Sequence, residues 1–356
     1  MKIEERDYTN LEFITYLTEH SNQIFKGKRK SWLKIYALLV SDDGWRTRLF
    51  KTSEIKQLGQ ILKVKLENQE QTDGEKENEY YIMEYRKGLI LLYTTANQET
   101  YEQNLGKRIE KSIGVTKMWI PPESFNMFWN SILQETNGYV YRFSSEKGSY
   151  AIYPAQRRPE VKRRLSYTGE DATESLQELT ELYGVVPYSV YIRASQSLKL
   201  HMTNDGLYSA QKASSRAIQL FYSYLQKIEE EILGIRKTSK ELKFDIVSES
   251  NLKIPAICSG VIKIKNGEID ELGIKALRSK LNKFSFIDSH IEHGSLSFTS
   301  TVIDEVKGSV FDISASGNQI LIVPKFSSTF ESFITLYRGV IESIDKEAEL
   351  SLVEAQ

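Results

Sequence analysis

The chain of 356 residues contains a single cysteine, Cys258. One thiol excludes an intrachain disulfide framework and any multi-cysteine metal cluster. Its neighbours Ala256 and Ile257 place it on an apolar strand, where a buried structural thiol is expected. Long apolar runs are missing as well. The longest, LILLY and LIVP, have strand length and fall far short of the ~18 residues of a membrane-spanning helix. The amino-terminal MKIEERDYTN is charged and has no signal-peptide core, so a cytoplasmic protein with no membrane partner is expected. Neither charge sign dominates, with 47 Lys and Arg against 48 Asp and Glu and a net charge of −1. That balance excludes a histone-like positive coat but not a basic groove.

Catalytic signatures are also missing. There is no G-x-x-x-x-G-K-[ST], no strand-linked G-x-G-x-x-G and no G-x-S-x-G, so no phosphate cradle or nucleophile elbow is read, and no cofactor is implied. His290 and His293 lie with Asp288 and Glu292 in FIDSHIEHGS. On a strand, residues three apart point to opposite faces, which makes a poor chelate, and no metal site is assigned. Asp42 and Asp43 in SDDGW fit a turn better than a metal loop, with Asp43-Gly44 suited to positive φ.

What the chain does have is concentrated between residues 139 and 168, YVYRFSSEKGSYAIYPAQRRPEVKRRLSYT. From Arg142 to Thr168 seven basic residues (Arg142, Lys147, Arg157, Arg158, Lys162, Arg163, Arg164) face two acids, Glu146 and Glu160. Tyr139, Tyr141, Phe143, Tyr150, Tyr153 and Tyr167 are threaded through them. Basic groups neutralise phosphates and aromatic faces stack on bases, so the pattern suits a nucleic-acid surface. A solvated, twisted hairpin with a basic loop would leave the same trace. Tyr139, Tyr141 and Phe143 alternate with Val140, Arg142 and Ser144, which predicts three aromatics on one strand face. Lys28, Arg29 and Lys30 form a second basic run before the strand WLKIYALLV.

Elsewhere, Thr9 or Asn10 caps a helix over 8–25, and another helix spans about Glu99 to Ile113. VTKMWIPP reads as a strand stopped by Pro121-Pro122. Behind that pair Phe125, Phe128, Trp129 and Ile132 form a core-facing helical stripe. Residues 67–79, with six acids and one lysine, form a polar loop. Gly184 stops the helix of GEDATESLQELTELYGV. A long helix ends at Gly234, and 235–243 reads as a linker. The segment from Ser309 echoes that from Ser189: Ser-Val-aromatic, then strands, then K-x-S-S at Lys212 and Lys325 leading into a helix. This is a candidate internal sheet-plus-helix repeat.

These readings give an α+β protein of antiparallel sheets covered by helices. Its domains are placed at 1–115, at 116–234 with the basic strand pair, and at 235–356. The run YTGEDATESLQELTELYGVVP at 167–187 resembles a stretch of uncharacterised archaeal proteins. In architecture alone, the sheet-plus-helix units with a basic aromatic strand pair are similar to the non-catalytic partner subunits of short prokaryotic Argonautes. That resemblance implies a defence assembly in which a guide or target strand lies between this chain and a protein partner. The expected function is a non-enzymatic, nucleic-acid-binding (RNA or DNA) subunit of a larger complex. Its phosphate contacts would come from Lys28, Arg29, Lys30, Arg142, Lys147, Arg157, Arg158, Lys162, Arg163 and Arg164. The alternatives are a protein-interaction scaffold and a nuclease or hydrolase whose site is dispersed along the chain.

Overall fold

Local capping chemistry sets the first element. The amide of Glu12 donates to Thr9 Oγ1 at 3.2 Å, and the amide of Thr9 donates to the Glu12 carboxylate at 2.7 Å. This reciprocal pair opens α1 (Asn10–Glu19). The computed structural model describes residues 3–20, 32–51, 53–67, 77–147, 155–158, 161, 163–194, 198–211, 215–249, 252–292, 297–325 and 327–354.

Strand β1 (Trp32–Val40) leads into α2 (Trp45–Phe50) and the meander β2 (Glu54–Leu58), β3 (Ile61–Glu67), β4 (Glu77–Arg86) and β5 (Leu89–Thr94). A helical stretch follows: α3 (Gln98–Tyr101), a π-turn (Glu102–Gly106) and α4 (Lys107–Lys111). Then come β6 (Val115–Lys117), α5 (Pro122–Thr136), β7 (Tyr139–Lys147), β8 (Arg163–Thr168), α6 (Ala172–Tyr183), β9 (Val186–Arg193), β10 (Lys199–Thr203), β11 (Leu207–Gln211) and α7 (Ser215–Glu241). These strands make one 11-stranded antiparallel sheet in the order β2-β3-β4-β5-β1-β11-β10-β9-β7-β8, with β6 on the end of β1.

One face of this sheet is apolar along its whole width. Leu33, Ile35, Tyr93, Phe143, Ile192 and Leu200 pack there under α1, α5 and α7, whose Phe13, Phe125, Trp129, Phe221 and Leu225 complete the core. The stripe read from the sequence of α5 is buried as expected. The opposite face is apolar only over the β1–β5 half, where Tyr36, Leu38, Val64, Tyr80 and Leu92 pack beneath Trp45, Tyr101 and Leu105. Over β11–β8 that second face carries polar side chains in place of a core.

The remaining chain forms a second antiparallel sheet from β12 (Lys243–Glu249), β13 (Leu252–Lys263), β14 (Phe284–Glu292), β15 (Ser297–Asp304), β16 (Val310–Ser316), β17 (Gln319–Pro324) and β18 (Glu349–Glu354). Its order is β12-β13-β17-β16-β15-β14, with β18 on β13. Helices α8 (Glu271–Lys280) and α9 (Phe330–Ser343) cover it, burying Ile262, Phe298, Phe311, Ile320, Phe333 and Val340. Trp119, from the loop after β6, inserts into this second core and links the two units.

The α+β class holds, and several details differ from the sequence reading. The division at 115/116 falls inside one sheet, because β1 hydrogen-bonds to β5 on one side and to β11 and β6 in succession on the other. Most of the segment expected as a linker belongs to α7, which runs through Gly234 to Glu241. Gly44 sits at φ −72°, not positive φ, because the turn feeds directly into α2; Asp42 serves it by accepting the Gly44 amide at 2.8 Å. The strand at VTKMWIPP is only three residues long. Cys258 is half-buried, not enclosed. The echoed segments diverge as well: two strands separate β9 from its helix, and one separates β16 from α9. No helix among the described residues is long and apolar enough to cross a membrane.

Candidate nucleic-acid interface

The basic strand pair does not present its charge on one surface. Side chains alternate across a pleated strand, so β8 sends Arg163, Leu165 and Tyr167 to the covered side and Arg164, Ser166 and Thr168 to the exposed one. The Arg163 guanidinium lies 4.3 Å from the centre of the Tyr183 ring of α6, and Tyr167 stacks on the buried Phe143. Lys147, on the inward side of β7, is only 4% exposed. Arg163 and Lys147 therefore serve the interior of the unit. Arg142 and Arg164 face outward and are exposed. Arg157 and Arg158 are exposed on the connecting loop, where the Arg157 amide donates to the carbonyl of Leu182 at 2.8 Å. Lys28, Arg29, Lys30 and Lys162 lie outside the described residues.

The expected row of three aromatics is also broken. A bulge between Val140 and Arg142 shifts the register against β9. Val140 and Phe143 both point into the core, and Tyr141 is left on the polar side with Arg142.

On that polar half-face the strand registers align a single row: Lys34 beside Ser209, Ser209 beside His201, His201 beside Tyr191, Tyr191 beside Arg142, and Arg142 beside Thr168. The Tyr191 and His201 rings stack with centroids 3.9 Å apart and planes 10° from parallel. Tyr141 meets Tyr191 edge-on at 6.0 Å. Two guanidiniums lie against these rings, Arg142 at 5.2 Å from Tyr191 and Arg193 at 5.3 Å from Tyr141. Each is a cation–π pair that orients the ring. Arg164 Nε donates to Tyr188 Oη at 3.3 Å, which repeats the theme on the next row.

The half-face ends in a cavity of about 660 Å³ lined by Lys34, Tyr36, Ser189, Tyr191, His201 and Ser209 on the sheet, by Glu102 and Lys117 on the helical side, and by Lys280 and Arg338 of the second unit. Burial pushes the His201 imidazole down to about 4, so it is neutral near pH 7. Its Nε2 lies 3.1 Å from Ser189 Oγ and its Nδ1 3.4 Å from Ser209 Oγ. Burial also pushes the Lys34 ammonium down to about 8. Lys34 Nζ donates to the Ala96 carbonyl at 2.6 Å, and among the described residues no carboxylate pairs with it. The other cations of the cavity are engaged: Lys117 with Glu102 and Asp205, Lys280 with Glu146 and Glu342, Arg338 with Glu342, and the exposed Arg164 with the Tyr188 hydroxyl. Among the described residues no three His, Cys, Asp or Glu side chains group as a metal site would require. His290 stands on β14, and His293 lies outside the described residues.

Sequence reading missed Lys34, Tyr191, Arg193 and His201 at this site. The signal was the period-two alternation of VYIRAS and KLHMT, which puts Tyr191 with Arg193, and Lys199 with His201, on the polar side of two neighbouring strands. Charge density along the chain does not register it.

Residues 124–203 match the model of a family middle domain, from an uncharacterised archaeal family. The match contains the run at 167–187 and, from the polar row, Arg142, Tyr191 and His201; Lys34 and Ser209 fall outside it. No curated protein and no solved structure matches the chain.

Proposed function

We propose that this protein binds single-stranded nucleic acid along the polar half of its large sheet. The observation that carries the reading is the pairing of Arg142 with Tyr191 and of Arg193 with Tyr141 on one uncored sheet surface. Aromatic faces accept bases by stacking, and guanidiniums beside them neutralise the phosphates between stacked bases. A sheet face of this kind reaches unstacked bases but not the edges of bases inside a duplex, so a single strand is the matching ligand. Arg164 lies on the same surface, and the exposed Arg157 and Arg158 would extend the phosphate track along the loop.

The test is fluorescence anisotropy with labelled single-stranded and duplex DNA and RNA, at about 50 mM and 200 mM salt. Single strands should bind more tightly than duplexes, with affinity falling as salt rises. Each phosphate contact contributes about 0.7 to the logarithmic salt slope, so R142A/R164A should flatten it by about 1.4. Y191A should cost about 1–3 kcal/mol of affinity. Absence of binding at low salt, or an unchanged slope in a folded R142A/R164A protein, would overturn the proposal.

A further inference from the structure

Lys34 is set apart from the other cations around the cavity. Lys117, Lys280 and Arg338 each have a carboxylate partner within the protein and Arg164 is exposed and bonded to Tyr188, but the half-buried Lys34 has only the Ala96 carbonyl among the described residues. A half-buried ammonium without a counter-charge is costly unless an anion joins it. It stands on the floor of a cavity whose volume falls in the range of small-molecule sites. Two and three strand spacings away along the same row, roughly 10 and 14 Å across the sheet, His201 and Tyr191 form an aromatic stack. Ser209 lies between them, and Ser189 and Asn204 elsewhere on the lining add neutral hydrogen-bonding groups suited to a heterocycle's edge.

We infer that this cavity binds one nucleoside phosphate unit, with Lys34 holding the phosphate and the Tyr191–His201 stack taking the base. The unit is either a free mononucleotide or one nucleotide of a longer strand. The inference rests on the strand-binding reading for the identity of the ligand class, but Lys34 belongs to a different element from Arg142, which does not line the cavity.

The probes are the four nucleoside monophosphates, the matching unphosphorylated nucleosides, inorganic phosphate and a short single-stranded oligonucleotide, titrated calorimetrically into the full chain. At least one monophosphate should bind, with its nucleoside weaker by about ten- to hundredfold, the range of a charge-assisted contact. K34Q should lose the same factor and K34R should recover much of it, which separates a charge role from a packing role. If K34Q leaves the oligonucleotide unaffected, the cavity serves a free mononucleotide. If it weakens the oligonucleotide and the monophosphate competes with it, the occupant is a unit of the strand. Failure of every monophosphate to bind, or equal binding by folded K34Q, would overturn the inference. Loss of oligonucleotide binding in R142A with monophosphate binding intact would show that the two sites act separately. Wild-type protein that binds a monophosphate but no oligonucleotide would remove the strand reading and leave the cavity.

Discussion

Glu342 on α9 is one of the side chains that join the two units. Its Oε1 accepts from Trp119 Nε1 at 3.1 Å and from Arg338 Nε at 2.8 Å, and its Oε2 lies 2.9 Å from Lys280 Nζ. Lys280 also pairs with Glu146 of β7, so the cluster ties α8 and α9 to the large sheet. The carboxylate is 7% exposed. Burial alone would raise its pKa, yet Arg338 and Lys280 outweigh burial and hold it below the usual glutamate value. Glu342→Gln keeps the shape, removes the charge and turns an amide N–H₂ towards cations. Two charge-assisted contacts at about 1.5–3 kcal/mol each set the scale. Both cationic partners are about a third exposed, so solvent screening reduces that scale. The expected loss is about 3 kcal/mol, read from denaturant melts followed by tryptophan fluorescence. In a double-mutant cycle with Lys280→Met, the two losses should fall short of adding by about 1 kcal/mol or more. A loss under about 0.5 kcal/mol, or strict additivity, would refute this account of how the units are joined.

Two further outcomes follow from buried and strained positions. The folded His201 imidazole titrates near 4 and the unfolded one near 6.5, so its contribution is present above pH 6.5. As pH falls from 6.5 towards 4, the unfolded chain takes up a proton that the folded chain refuses. Stability then drops by about 1.4 kcal/mol per pH unit, about 3 kcal/mol in all. Melts of wild type and His201→Asn across that window check it, and the two should run parallel only if the reasoning is mistaken. Gly206 has φ +81°, and a Cβ there would lie 2.7 Å from the Met118 carbonyl oxygen. Gly206→Ala should cost about 2 kcal/mol or more. Gly317→Ala, at φ +56° with nothing within 4 Å, should cost about 1 kcal/mol, as strain without a clash. Equal losses at the two positions would show that the contact is relieved by local movement.

Much of the local structure could be read from residues close in the chain. The Thr9–Glu12 capping box, the stripe of α5 and the left-handed Gly184 that ends α6 are short-range devices, and each forms where its residues predict. Sheet order was not legible, because the pairing of β1 with β11 joins residues far apart in the chain, and nothing in either strand names its partner. The candidate site suffered from the same limit in another form. Seven basic residues in one stretch suggested one patch, yet pleating turns Arg163 and Lys147 inward while Arg142 and Arg164 face out. The bulge at Tyr141 then removed Phe143 from the aromatic row and brought Tyr191 and His201, from two other strands, into its place.

The position of β1 between β5 and β11 also matters for how the chain is made. β1 is made before its partners, and β5 on one edge and β6, at the Leu38–Val40 end of the other, follow within the next stretch of synthesis. The rest of that second edge, from Trp32 to Tyr36, waits for residues 207–211. At about 5–20 residues per second that wait is roughly 10–30 seconds. Throughout it, an apolar strand offers unpaired N–H and C=O groups to any other chain nearby. Zipping this seam requires closure of the largest loop in the sheet, so it sets both the pace of folding and the window for misassembly.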